Sequence, residues 1–301
     1  MMFPICSDRW EEIVAQRPFA TGGTIGKLRT LGDYLQFYTT ALSERFRLTY
    51  LDAFAGSGSI PYREELPLVS ESADIDEYVE GSARRALGVS PSFHRYWFVE
   101  SKAGNVKALE AVRSDFPKLA DRIVIEREDA NKAISSFCHN QMGRSDRCVM
   151  FLDPFGNQVK WETLDRIGRT PGIDLWYLFP AGLGVLRQIS RDGRVQKDAE
   201  ASLDLLFGPN DWRGNLISRQ TQQDLFGDTT ELARRVESAD QVTRYMISCM
   251  KGVFGGGVSD TWLPLGKGGS HWFSLIFAWS NPSKSATELA SRVSKDIMRK
   301  R

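Results

Sequence analysis

Histidine and cysteine are scarce in this 301-residue chain, and the few present do not cluster. The three histidines, His94, His139 and His271, stand far apart, so no histidine-rich metal site is legible and no metal is expected. The four cysteines, Cys6, Cys138, Cys148 and Cys249, show no C-x-x-C spacing and read as reduced, structural thiols of an intracellular protein. Excess charge of one sign is also missing. A formal net charge of +1 gives no global field toward nucleic acid or membrane, so any nucleic-acid contact must come from a local patch. No uninterrupted apolar run approaches the roughly 20 residues of a membrane span. Residues 1–20 carry charges throughout and lack the apolar core of a secretory signal. The expectation is a soluble, cytoplasmic protein with no membrane contact.

What is present is an alternation of apolar runs and helical patterns. Leu48-Thr-Tyr-Leu-Asp52 passes into a small-residue turn, Ala55-Gly56-Ser57-Gly58. Further apolar runs are Tyr96–Glu100, Arg122–Glu126, Cys148–Asp153 and Ile173–Phe179. Continuous runs of this kind suit strands covered on both faces, as in a parallel sheet. Helical patterns lie between them, over Ala83–Leu87 with Ser82 as cap, Ser101–Phe116, Ala130–Phe137 and Trp161–Ile167. Strand alternating with helix predicts β-α-β units and a doubly wound sheet. Near the end, Thr261–Leu265 and His271–Trp279 flank a Gly-Lys-Gly-Gly turn and predict a hairpin. A mostly parallel sheet closed by an antiparallel C-terminal hairpin is the layout of an α/β, Rossmann-like class I methyltransferase fold.

The predicted organisation has an N-terminal helical segment over 1–45 packing on a core formed by 46–185 and 251–301. Residues 186–250, rich in Arg, Asp, Gln and Ser, read as a mainly helical insertion or lid, with amphipathic stretches at Ala199–Phe207 and Thr230–Met250. The acidic stretch Glu64–Glu80 reads as a surface loop.

In a doubly wound sheet, ligands bind outside the carboxyl ends of the strands. Here four successive runs each deliver a carboxylate to that edge, as Asp52, Glu100, Asp129 and Asp153. The first turn supplies G-x-G in Gly56 and Gly58, but Pro61 occupies the place of the third glycine of a dinucleotide loop. That disfavours a pyrophosphate cofactor and favours a nucleoside-like one such as S-adenosylmethionine. Glu100 suits two ribose hydroxyls, because an ionised carboxylate offers two acceptor oxygens. Asp129 suits the adenine amine, and Asp52 the amino-acid part of the cofactor, directly or through water.

The set Asp52-Ala-Phe-Ala-Gly-Ser-Gly58, Gly81-Ser82, Phe98-Val-Glu100, Asp129-Ala-Asn131 and Phe151-Leu-Asp-Pro-Phe-Gly156 resembles the three-Cys-motif partner family (TcmP). The likeness extends to Lys27 and the helix that follows, to Phe207-Gly208 and Asp211-Trp212, and to the closing strand at 271–279. That family is similar to class I S-adenosylmethionine-dependent methyltransferases of nucleic-acid adenines. The resemblance implies a cofactor site from Asp52, Phe54, Ala55, Gly56, Gly58, Glu100, Asp129 and Ala130. It implies catalytic roles for Asp153, Pro154 and Phe155, and substrate contacts from Lys27, Ser82, Arg85 and Asn157. In such enzymes the acidic oxygen and the proline carbonyl accept from the target amine, while an aromatic ring stacks on an extruded base. This chain has one proline where that motif has two, with Phe155 directly after it.

The expectation is methyl transfer to a nucleic-acid base amine, adenine N6 favoured. The rival is an inactive methyltransferase-fold module that binds nucleic acid or a protein partner in a bacterial defence or mobile-element system. Each residue also has a structural reading. Glu100 and Asp129 suit helix N-terminal acids, and Lys27, Arg84 and Arg85 suit solvated helix faces. Asp153-Pro154 suits a strand terminator, with Phe155 in the core.

Overall fold

The computed structural model describes residues 22–61, 78–223, 229–266 and 269–299. The readings made over residues 1–21, 64–77 and 267–268 lie outside these. Helix α1 (Gly22–Leu42) precedes β1 (Arg47–Asp52), β2 (Ser59–Pro61), β3 (Tyr78–Glu80), α2 (Ser82–Leu87) and β4 (Arg95–Val99). Next come α3 (Ala103–Asp115), β5 (Ile123–Glu126), α4 (Ala130–Asn140), β6 (Asp146–Leu152), α5 (Trp161–Arg169) and β7 (Ile173–Phe179). Tight turns over 181–188 lead to α6 (Lys197–Phe207), α7 (Trp212–Leu216), β8 (Ile217–Gln223), β9 (Thr229–Arg235) and α8 (Ala239–Lys251). The chain ends with β10 (Gly257–Val258), β11 (Leu263–Leu265), β12 (Phe273–Trp279) and α9 (Lys284–Arg299).

The main sheet runs β5-β4-β1-β6-β7-β12-β10, with β11 also paired to β12. From β5 through β7 every pairing is parallel. Strand β12 runs antiparallel to β7, β10 and β11. The chain winds outward from β1 to β5, returns to β6 on the other side of β1, and closes with a reversed strand. This is the Rossmann-like class I methyltransferase fold, with its switch point between β1 and β6.

Burial explains the apolar runs. Successive strand residues face opposite layers, and both layers are covered. On one face Leu51, Met150, Leu152, Leu175, Tyr177 and Ile276 pack with Phe137 of α4, Leu164 of α5 and Met246 of α8. On the other, Tyr50, Phe98, Phe151, Trp176 and Phe277 meet Leu31, Tyr34 and Tyr38 of α1 and Val112 of α3. Three helices begin at side-chain caps that supply acceptors to orphan backbone N–H groups. Asp129 caps α4, Asp211 caps α7, and Ser238 with Gln241 forms a capping box on α8.

Two expectations are corrected in the 186–250 region. The amphipathic stretch Thr230–Met250 is not one helix: its first part is β9, paired with β8 in a separate antiparallel ribbon. Its second part, α8, buries Val242, Met246 and Met250 in the same layer as the central strands. An apolar stripe at helical spacing signals burial, and here it serves the sheet itself.

Candidate active site

The loop after β1 is built around a buried acid. Asp52 is fully buried. Its Oδ1 accepts from the Phe54 backbone N–H at 3.2 Å, and its Oδ2 accepts from the Ser82 hydroxyl and from Tyr50 at 3.4 Å. Burial pushes its carboxyl up to about 7, the Ser82 and Phe54 donors pull against that, and Asp153 adds to the rise. Both Asp52 oxygens are thus taken up by the loop's own donors, and the residue holds the loop from beneath. Ser82 does not cap α2, as the sequence suggested. The cap position is Gly81, without a side-chain bond, and the Ser82 hydroxyl serves Asp52 instead, because a buried carboxyl needs a donor.

The turn above is fixed by Ala53 N–H on Phe151 O at 3.2 Å and Ala55 N–H on Val99 O at 3.1 Å. It is thereby tied to the ends of β6 and β4. Gly56 and Gly58 have φ of 58° and 74°, a region that disfavours a Cβ. At Gly58 an added Cβ would lie 2.9 Å from Val112, whereas at Gly56 it would meet nothing within 4 Å. Gly58 lets the loop sit close on α3, and Gly56 borders open space. Phe54 is half-buried, and Ala55 and Ala130 are buried.

Glu100 directly follows β4 and lies against the first turn of α3. Its Oε1 accepts from Lys102 N–H at 2.8 Å and Ser101 at 3.3 Å, and its Oε2 accepts from Asn105 at 3.1 Å. Asp129 is the helix cap its structural reading described, its Oδ1 accepting from the N–H groups of Asn131 and Lys132. A carboxylate has about four acceptor sites, so Glu100, itself buried, keeps about one and Asp129 about two.

At the end of β6, Asp153 and Lys27 form an ion pair through Asp153 Oδ2. Lys27 is 7% exposed, which corrects the solvated-helix reading: α1 carries it under the edge, 5.9 Å above the Phe151 ring. The second oxygen, Asp153 Oδ1, is buried and accepts no hydrogen bond among the described residues. A buried carboxylate oxygen left unpaired is costly, and this one fits a donor that arrives with a ligand. Pro154 is buried. Phe155 is 46% exposed and so is not the core residue its structural reading proposed. Lys102 Nζ lies 5.9 Å from its ring, which brings the segment after Glu100 against the segment after Asp153.

Two of the substrate-contact candidates are committed elsewhere. Asn157 donates to Gly184 O at 2.7 Å, Gln188 at 3.1 Å and Ser202 at 3.2 Å, fastening the loop after β6 to the 181–188 turns and α6. The Arg85 stem lies across Gly32 of α1, where an added Cβ would come within 2.7 Å of its Cδ. Sequence reasoning missed Asn131 as an organiser. Its amide donates to Gln158 O at 3.0 Å and accepts from Lys160 N–H and Thr163, bridging α4 to the loop and α5. The signal was its place two residues after the Asp129 cap. Among the described residues no group of His, Cys, Asp and Glu is arranged to hold a metal, and no helix is long and apolar enough to cross a membrane.

Strand order and edge thus define a methyltransferase-type fold with its carboxylates gathered at the switch point. No protein-family model and no curated protein matches the chain. Among solved structures it is similar to a Legionella pneumophila protein at 11% identity and TM-score 0.42, over 90% of this chain and 91% of that one. It is similar to an S-adenosylmethionine-dependent methyltransferase from Clostridium acetobutylicum at 10% identity and TM-score 0.37, over 91% and 98% of the two chains. A third such structure is an rRNA methylase from Streptococcus thermophilus, at 10% identity and TM-score 0.29, over 67% and 95%.

Proposed function

We propose that this protein transfers a methyl group from S-adenosylmethionine to the exocyclic amine of a nucleic-acid base, adenine N6 favoured, as a member of the three-Cys-motif partner family. The observation that carries the reading is Asp153, with one oxygen held by Lys27 and the other buried without a donor. The open space at Gly56 and the spare acceptor capacity of Glu100 and Asp129 fit the cofactor. Glu100 would take a ribose hydroxyl at its remaining acceptor site and Asp129 the adenine amine, while Asp52 supports the loop from below. When bound, the cofactor supplies an electrophilic methyl group.

The chain's own residues position the acceptor. Asp153 Oδ1 and the Pro154 carbonyl accept the two N–H groups of the target amine, which turns its lone pair out of conjugation and toward the methyl group. Lys27 fixes the carboxylate so that this geometry costs no rearrangement. Phe155 offers an exposed face on which an extruded base stacks. Catalysis is then chiefly proximity and orientation.

The test is transfer of tritium from methyl-labelled cofactor into DNA and RNA. Incorporation should fall by roughly a hundredfold or more in Asp153→Ala, the scale of misplacing a reacting group. Undiminished transfer in that variant removes Asp153 from its role. Cofactor binding with no transfer to either nucleic acid favours the non-catalytic module, for which the single proline before Phe155 speaks.

A further inference from the structure

Two carboxylates and one cation gather beneath the candidate cofactor loop. Asp52 on β1 is paired in register with Phe151 on β6, and side chains paired in this way share a face of the sheet. Asp153 follows Phe151 by two residues and so returns to that face. Strand spacing and rise then separate the Cα atoms of the two acids by about 8 Å. Lys27 enters the cluster from α1, pairs with Asp153 and lies above the Phe151 ring. That ion pair is balanced within itself, which leaves Asp52 without a cation of its own.

Every direct partner of Asp52 is neutral. Tyr50, two residues before it on β1, and Ser82 of α2 donate to Oδ2, and the Phe54 backbone N–H donates to Oδ1. Its sheet neighbours are Phe98 on β4 and Phe151 on β6. Arg85, three residues beyond Ser82 on α2, runs across Gly32 of α1. The charged groups that act on Asp52 are Asp153 and Lys27, in opposite directions. Burial outweighs them, so the carboxyl keeps its proton up to about pH 7. An amide oxygen would accept the Phe54 N–H as well, so anchoring the loop does not use the ability of this residue to ionise.

The cofactor of the methyl-transfer reading changes charge during the reaction. S-adenosylmethionine carries a sulfonium cation, whereas S-adenosylhomocysteine carries a neutral thioether. Under that reading the methyl group faces an amine held at Asp153, which brings the positive charge to this cluster. A unit positive charge about 8 Å from Asp52, at an effective dielectric of about 20, favours its ionised form roughly thirtyfold. We propose that Asp52 distinguishes the cofactor from its spent product, releasing its proton to solvent when the sulfonium arrives and taking one back when the methyl group has left. Methyl transfer breaks the S–C bond with the electron pair staying on sulfur, forms the N–C bond from the amine lone pair, and sheds one amine proton. Release and recapture at Asp52 cancel over a turnover, so each cycle still liberates one proton. The thioether no longer offsets an ionised Asp52, and the product is held less firmly than the cofactor. The inference rests on the methyl-transfer reading for the identity of the cation.

The test is calorimetric binding of S-adenosylmethionine and of S-adenosylhomocysteine to the full chain from pH 5.5 to 8, each pH in two buffers of different ionisation enthalpy. The ligands share their amino and carboxyl groups, so the difference between them isolates the sulfonium. S-adenosylmethionine should release roughly two-thirds of a proton more than the product at pH 6, and about a tenth or less at pH 8. Preference for cofactor over product should rise about ten- to twentyfold from pH 5.5 to pH 8, because below pH 7 the cofactor must first displace the proton. Ser82→Ala removes a donor to the ionised carboxylate and should move that rise to higher pH. Asp52→Asn has no proton to lose and should flatten it. Parallel pH curves for the two ligands in the parent, which needs no variant to measure, overturn the proposal alone. A rise that persists in Asp52→Asn assigns the proton to another group and overturns it as well. Failure of either ligand to bind at any pH overturns the cofactor reading, and this inference with it.

Discussion

Lys27 and Asp153 are 126 residues apart in sequence and in direct ionic contact, and that pair joins the first described helix to the end of β6. Helix α1 therefore does more than cover one sheet face with Leu31, Tyr34 and Tyr38. It also sets the orientation of the candidate catalytic carboxylate.

Breaking this pair from one side should cost more than removing it. Lys27→Met leaves a largely buried carboxylate without its cation, and Asp153→Asn leaves a buried ammonium without its anion. Each single variant should lose about 3–5 kcal/mol of unfolding free energy if the site stays dry. The double variant should recover part of that, with a coupling of roughly 0.5–3 kcal/mol. Urea denaturation of all four proteins at pH 7 measures it. Strict additivity would show that the two charges act independently.

Asp52 gives the fold a pH dependence of a defined sign. Its carboxyl is pushed from 3.8 to about 7 in the folded chain. Below pH 4 it is protonated folded or unfolded and contributes no difference. Between about pH 4 and 7 the unfolded chain releases the proton while the folded chain keeps it, so stability declines as pH rises, then levels off. Asp52→Asn keeps the acceptor for Phe54 N–H and turns the other atom into a donor toward Ser82. Relative to the parent it should gain stability from pH 5 to about pH 7, by about 2–3 kcal/mol, and little more by pH 8. Denaturation curves at pH 5, 6, 7 and 8 test this, and a constant difference across them would exclude the raised value.

The sheet was legible from sequence because its strands are covered on both faces, so apolar runs end where strands end, at Asp52 and just before Glu100 and Asp153. The Gly56 and Gly58 turn was legible for the same local reason. The Lys27–Asp153 and Ser82–Asp52 pairings were not, since no local pattern marks partners 126 and 30 residues apart. The ribbon was read as helix because its strands lack the period-two apolar alternation that identifies a half-buried strand. Arg234, Arg235 and Leu232 mimic an amphipathic helical stretch running into α8. Asn157 looked available for substrate only because its three acceptors lie in segments far along the chain.

Glu100 and Asp129 can be separated by isosteric changes. Glu100→Gln removes the charge that suits a ribose hydroxyl and should weaken cofactor binding roughly ten- to a hundredfold, the range for hydrogen bonds to a charged group. Asp129 needs a finer comparison, because it also caps α4. Asn is as good a cap as Asp, whereas Ala costs about 1 kcal/mol. Asp129→Asn should therefore keep the melting temperature while lowering cofactor affinity, and Asp129→Ala should lower both. Calorimetry with S-adenosylmethionine alongside thermal melts reads the two effects separately. Wild-type affinity in Asp129→Asn would reduce Asp129 to its capping role.

Phe155 offers the sharpest contrast between a core residue and a binding residue. A buried phenylalanine cut to alanine costs about 3–5 kcal/mol. At 46% exposure, Phe155 has little burial to lose, so Phe155→Ala should change unfolding free energy by no more than about 1 kcal/mol. A base stacked on the ring contributes roughly 1–3 kcal/mol. Binding of a nucleic acid with an unpaired adenine should accordingly weaken about five- to 150-fold in Phe155→Ala, and Phe155→Trp should restore it by supplying another aromatic face. An aliphatic replacement of similar bulk, Phe155→Leu, keeps apolar area but not the flat π surface and should rescue little. If Leu rescues as well as Trp, the contact is simple apolar burial, and the position after Pro154 is not the stacking platform of an amine methyltransferase.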